Sequence, residues 1–116
     1  MKAYRIAAIP GDGIGSEVVS AGIEVLHALA NREDKFQFKV DHFDWGGEYY
    51  KKHGRMIPDN GRSLIRDHDA ILFGSAGHPD IPDHITLWGL RLAICQPFDQ
   101  YANVRPTRVL PGITSP

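Results

Sequence analysis

Ile6-Ala7-Ala8-Ile9 is the first uniformly apolar run, and it stops at Pro10-Gly11. Such a run predicts a strand buried on both faces, as in a parallel sheet covered by helices. Three glycines in five residues, Gly11-Asp12-Gly13-Ile14-Gly15, then predict a tight turn. Val19, Gly22, Ile23, Leu26, Leu29 and Ala30 recur at helical spacing, with Glu17 in the first turn where the helix dipole favours a negative charge. That helix fades at Asn31-Arg32-Glu33-Asp34. Phe36, Phe38 and Val40, with His42 as a further member, alternate with polar residues and predict a second strand with one better-covered face.

Trp45-Gly46-Gly47 turns the chain, Glu48 to His53 forms a short helix closed by Gly54, and Pro58-Asp59 opens another through Leu64 and Ile65 with Asp59 as its cap. Ala70-Ile71-Leu72-Phe73 is the clearest buried strand, and it runs into a second small-residue turn, Gly74-Ser75-Ala76-Gly77. A loop rich in proline and aspartate, His78 to Asp83, leads to a helix from about Ile85 to Ile94. Tyr101 to Val104 is the last strand candidate, before Arg105-Pro106, and Val109 to Gly112 reads as a strand leaving for elsewhere. This alternation predicts an α/β fold with a largely parallel sheet flanked by helices. A half-sheet of three or four strands exposes edges that something else should cover. The C-terminus therefore reads as a cut, with the chain a truncated piece of a larger unit.

Composition narrows the function classes. The 116 residues hold one small domain or part of a larger one. Hydrophobic residues are 42% and charged residues 23%, the balance of an ordinary globular chain. Lysine plus arginine (13) nearly cancel aspartate plus glutamate (14), for a net charge of -1, so nucleic-acid binding through phosphates is not indicated. No apolar run approaches the roughly 18 residues of a membrane span, and the N-terminus lacks a signal peptide's apolar centre and cleavage site. A cytoplasmic protein with no membrane partner is expected.

Four groups could carry chemistry. Strand, Gly11-x-Gly13-x-x-Ser16 and helix nearly spell the dinucleotide-binding G-x-G-x-x-G, with Asp41 or Asp44 where a ribose-binding acid would sit. Ser16 replaces the third glycine, and the same glycines also suit a plain turn between strand and helix. His78, Asp80, Asp83 and His84 are all metal-ligating types, but aspartate and proline are ordinary turn residues and Asp83 is well placed to cap the next helix, which is the preferred reading. His27, His42, His53 and His68 are scattered singly and are expected on surfaces or at helix ends. Arg91, Arg105 and Arg108 form the third group. Arg105 follows a strand candidate, so its planar fork would stand at a strand's carboxyl end, suited to a carboxylate or simply solvated. Cys95, the single cysteine, lies on an apolar stretch and reads as a packed thiol.

Ile9-Pro-Gly-Asp-Gly-Ile-Gly-Ser-Glu-Val18 and Tyr101-Ala-Asn-Val-Arg-Pro106 together resemble the β-decarboxylating dehydrogenases, the family of isopropylmalate and isocitrate dehydrogenase. Pro79-Asp-Ile-Pro-Asp-His-Ile-Thr-Leu-Trp-Gly89 and Phe98-Asp-Gln-Tyr101 are similar to its tartrate and D-malate dehydrogenase branch. The resemblance runs along essentially the whole chain. It implies an isopropylmalate dehydrogenase-like fold, not a Rossmann fold, with most adenine and pyrophosphate contacts supplied by later sequence.

The resemblance further implies an NAD-dependent oxidoreductase that uses Mg²⁺ or Mn²⁺ to oxidise, and in some cases decarboxylate, a small hydroxy dicarboxylate. Ile14 and the turn Gly74, Ser75, Ala76 and Gly77 would lie beside the nicotinamide-ribose end of NAD. Trp88 would wall the substrate pocket, and its bulk suits a small dicarboxylate. Arg105 matches the arginine that grips substrate carboxylate. The family's partner arginine, ten residues earlier, is replaced here by Cys95, and Arg91 one helical turn before it is the candidate substitute. The metal-binding aspartates and the catalytic lysine and tyrosine fall beyond the matched region, so neither catalytic nor metal residues are expected in this chain. Residues 1–98 would be the N-terminal part of the cofactor-binding domain and 99–116 the start of the crossing into a second domain, through which relatives homodimerise. The chain alone is expected to be inactive. Two rival readings are a stand-alone nucleotide-binding module built on the 11–15 turn and an inactive truncated product.

Overall fold

A computed structural model describes residues 1–115. Its centre is a three-stranded, all-parallel sheet of β1 (Lys2–Gly11), β2 (Phe36–His42) and β3 (Ala70–Ser75), in the order β2-β1-β3. β1 is the middle strand, which is why Ile6, Ala7, Ala8 and Ile9 are buried. The apolar run marks only the strand's interior. Pairing with β2 begins at Lys2 opposite Phe36, and pairing with β3 reaches Gly11 opposite Ser75, so the ladder carries polar residues 2–5 and Pro10-Gly11 into the strand.

Side chains alternate across the sheet. Ala7 and Ile9, with Ile71 and Phe73, face a core built from Trp45, Met56, Ile65, Leu90 and Ile94. On the opposite face lies α1 (Gly15–Glu33), packed close enough that Gly22 meets the Leu72 side chain. Asp34, in the left-handed region, ends α1 by donating its N–H to the Ala30 carbonyl. Tyr4, Phe36 and Phe38 stack at the amino ends of β1 and β2 with ring centroids 5.4–6.2 Å apart.

The connections differ in detail from expectation. α2 spans Gly47–His53 and closes on left-handed Gly54 as anticipated. α3 is shorter, Gly61–Ile65, and Asp59 does not cap it. Asn60 holds the cap position, and the Asp59 carboxylate is taken by Arg55 four residues earlier. After β3, α4 (Asp83–Thr86) and α5 (Ala93–Cys95) flank a π-helical turn, Leu87–Leu92. Pro82 occupies the cap position of α4, so Asp83 supplies first-turn charge there, not a side-chain cap.

Neither Tyr101–Val104 nor Val109–Gly112 forms a strand. Tyr101 is 96% exposed and Val104 84% exposed. Strand propensity is realised only against a partner ladder, and the described residues offer these segments none.

Candidate functional site

In a parallel sheet every strand ends on the same side, so the turns after β1 and β3 are neighbours. Gly11 pairs with Ser75, which sets the turn 11–15 beside the turn 74–77. The approach is too close for side chains. A Cβ on Gly74 would come within 2.8 Å of the Gly15 Cα and would also strike the Pro10 carbonyl. On the outer side the two turns are open, since a Cβ on Gly13 or Gly77 would meet no atom within 4 Å. Ile14, at the head of α1, projects from this end and is 70% exposed.

Asp12 ties the turns together, a role the motif did not disclose. It is buried, and its two carboxylate oxygens accept from different segments: Oδ1 from the Gly47 N–H (2.6 Å) and Oδ2 from the Gly77 N–H (3.0 Å). Its own N–H donates to the Ser75 carbonyl (2.8 Å), while its carbonyl accepts from the Gly15 N–H (3.0 Å) and from the Ser75 hydroxyl. The available signal was an aspartate set among glycines, because its short side chain readily accepts from nearby backbone N–H groups.

The loop following this wall is pinned to α2. The His78 ring lies against Gly47, its Nδ1 accepts from the Asp80 N–H (3.1 Å), and its Nε2 lies 3.0 Å from Glu48 Oε1. Lys51 bridges to Asp80 at 3.1 Å and to Glu48 at 3.4 Å. The His78 bond first, then Lys51, holds the Glu48 carboxyl below its ordinary range, while Asp80 raises the Lys51 ammonium. These pairings occupy two of the four metal-ligating types in the loop, His78 and Asp80. The loop directs His78 and Asp80 to α2, and His84 lines a different surface. Among the described residues no three His, Cys, Asp or Glu side chains gather as a metal site.

That other surface is an open groove of about 650 Å³ bordered by Trp88, His84, Ile85 and Gly89 on one side and residues 54–59 on the other. Trp88 is 59% exposed. None of residues 74–77 lines this groove, nor do Arg91 or Arg105. Arg91 is exposed near the end of the π turn, where the usual four-residue spacing toward Cys95 no longer applies. Arg105 is exposed on a segment without regular structure, so it does not stand at a strand end as expected. Cys95 is a half-buried free thiol.

A correction concerns His68. Its side chain is only 1% exposed, with Nδ1 3.2 Å from the Ile65 carbonyl and Nε2 2.8 Å from Asp41 Oδ2. Arg5 also bonds that Asp41 oxygen at 2.8 Å. Arg5 first, then His68, holds the Asp41 carboxyl below its ordinary range. Asp41 is thus engaged in structure through Oδ2.

Comparison with known proteins agrees with this architecture. A probable tartrate dehydrogenase/decarboxylase of Agrobacterium vitis is 62% identical over 116 residues, all of this chain and 32% of the relative. The decarboxylating D-malate dehydrogenase of Escherichia coli (strain K12) is 50% identical over 118 aligned residues, again all of this chain and 32% of that protein. The crystal structure of a β-decarboxylating dehydrogenase from Thermococcus kodakarensis, in its apo form, superposes with a TM-score of 0.67 at 31% identity, covering 84% of this chain and 27% of the other. The chain therefore spans about a third of the length of the curated relatives it matches. The family profile described as isocitrate/isopropylmalate dehydrogenase matches residues 5–116. With a parallel sheet, paired small-residue turns at its carboxyl end and a match along nearly its full length, this chain belongs to the isocitrate/isopropylmalate dehydrogenase family.

Proposed function

We propose that this chain is the N-terminal part of an NAD-dependent dehydrogenase that oxidises, and in some cases decarboxylates, a small 2-hydroxy dicarboxylate such as tartrate or D-malate. The observation that carries the reading is the open wall made by the turns 11–15 and 74–77, in a chain similar along its whole length to tartrate and D-malate dehydrogenases. A nicotinamide-ribose needs close approach to backbone, and the glycines at 13 and 77 leave that room. Ile14 and residues 74–77 form the cofactor contact in this reading. Trp88 limits the length of substrate, Arg105 grips a substrate carboxylate through its planar fork, and Arg91 supplies the positive charge that Cys95 lacks.

The chemistry that bound NAD would supply is a hydride acceptor, and that of a bound Mg²⁺ or Mn²⁺ ion a Lewis acid for the substrate hydroxyl. This chain's residues orient and shield, while the metal ligands and the proton-transfer groups come from the sequence that completes the enzyme. Residues 1–98 belong to the cofactor-binding domain and 99–116 begin the crossing to the second domain, through which the whole enzyme dimerises. Alone, the 116 residues are inactive. The expected location is cytoplasmic, in keeping with described residues that contain no helix long and apolar enough to cross a membrane.

The test is a chimera in which residues 1–116 replace the matching third of the Escherichia coli D-malate dehydrogenase. It should reduce NAD with D-malate or tartrate, lose activity to a chelator and regain it with Mn²⁺. A folded chimera inert toward every hydroxy dicarboxylate tried would sink the proposal. Arg105→Ala in an active chimera should raise the KM for the acid without altering the KM for NAD.

A further inference from the structure

We infer that Asp12 is a positioning residue that sets the cofactor wall through two backbone amides and touches no substrate itself. The inference rests on the dehydrogenase reading, because residues 74–77 are the cofactor wall only there. Asp12 is 5% exposed, and each carboxylate oxygen is committed to a different stretch of chain. Gly47 begins α2, and Gly77 ends the small-residue turn after β3. The carboxylate therefore joins two loops whose own strands do not pair with each other, β2 and β3 being the two edges of the sheet.

The surrounding sequence is shaped around that carboxylate. A Cβ on Gly46 would lie 2.8 Å from Asp12 Oδ1, and one on Gly47 would lie 3.0 Å from it. The glycine pair lets a helix start close over a buried side chain, aiming its first free N–H at it. Two acceptor oxygens are needed to satisfy both donors, and aspartate supplies them. In asparagine the single carbonyl oxygen keeps one bond, and the amide NH₂ is left facing the other N–H. Asp12→Asn is thus almost isosteric and selectively uncouples one loop. His78 and Asp80 keep their own bonds to α2, so the loosening is confined to the Gly77 end of the wall, beside Gly13 and Ile14.

The first experiment is nuclear magnetic resonance on the 116-residue chain. The Gly47 and Gly77 amides should show scalar couplings to the Asp12 carboxyl carbon across their hydrogen bonds and slow exchange with solvent. In Asp12→Asn, hydrogen exchange at Gly47 or Gly77 should accelerate about tenfold or more, the scale of losing a charge-assisted bond. Amides at the centre of β1 should stay protected. Absent couplings, or unchanged exchange in the variant, overturn the inference. If Asp12→Asn does not fold, the couplings in the unsubstituted chain decide alone.

The second experiment carries Asp12→Asn into the chimera. The KM for NAD should rise about tenfold while the KM for the acid stays within about twofold. Equal rises in both KM values indicate general disruption and overturn the positioning role. An inert parent chimera overturns the dehydrogenase reading, whereas the amide couplings still judge whether Asp12 holds the two loops.

Discussion

Glycines in this chain act in opposite directions, depending on what surrounds the missing Cβ. Gly74 faces backbone that cannot move aside, namely the Gly15 Cα and the Pro10 carbonyl. Gly74→Ala should destabilise the fold by about 2 kcal/mol or more, as overpacking against rigid neighbours does. Gly22 lies inside α1 at an ordinary 3.6 Å from the Leu72 side chain. Gly22→Ala should therefore stabilise by about 0.5–1 kcal/mol, through helix propensity and lost freedom of the unfolded chain. Urea denaturation of the two variants checks both signs. Equal destabilisation by the two would show that the turns are not packed as described.

Among the elements, the helical segment after β3 has the sharpest division of labour. Leu90, in the π turn, is fully buried against the sheet, while Trp88 two residues earlier faces outward. Leu90→Ala should cost about 3 kcal/mol by leaving a cavity, whereas Trp88→Ala should cost far less; thermal melts of both variants compare them. Strand edges also set a pH dependence. Asp41 on β2 and Glu48 on α2 have folded pKa values below their unfolded ones. Their stabilisation is complete above the unfolded values of about 3.9 and 4.3 and is lost as pH falls through the lower folded values. Lys51 is raised, so its contribution persists through neutral pH and is lost only as the solution becomes strongly alkaline. These groups are exposed and their effects are small. Denaturation midpoints should be flat near neutrality and fall on the acid side, and Asp41→Asn should flatten that acid limb.

For the whole molecule, the radius of gyration of 16.0 Å exceeds the roughly 13 Å of a compact chain this long. The excess reflects residues 100–115, which are exposed and carry Tyr101, Val104, Val109, Leu110 and Ile113 into solvent. Trypsin should cut first after Arg108, since Arg105 precedes proline and resists cleavage, and a resistant body should remain through Cys95. Mass spectrometry of the early fragments checks this. First cuts within α1 or the sheet would contradict the packing.

Period and punctuation along the chain were enough for the α/β class, for the three strands and for the turns that end β1 and β3. Burial on one or both faces writes itself into residues two or four apart, and glycine marks where backbone must approach backbone. The termini of β1, the missing strand at 101–104 and the buried His68 needed the assembled molecule. A strand's length depends on its partner's ladder, and a polar side chain's fate on donors brought from distant segments. Asp12 shows the limit most plainly. Its neighbours in sequence announce a turn, but the Gly47 and Gly77 amides it binds arrive only when the whole chain has folded around the sheet.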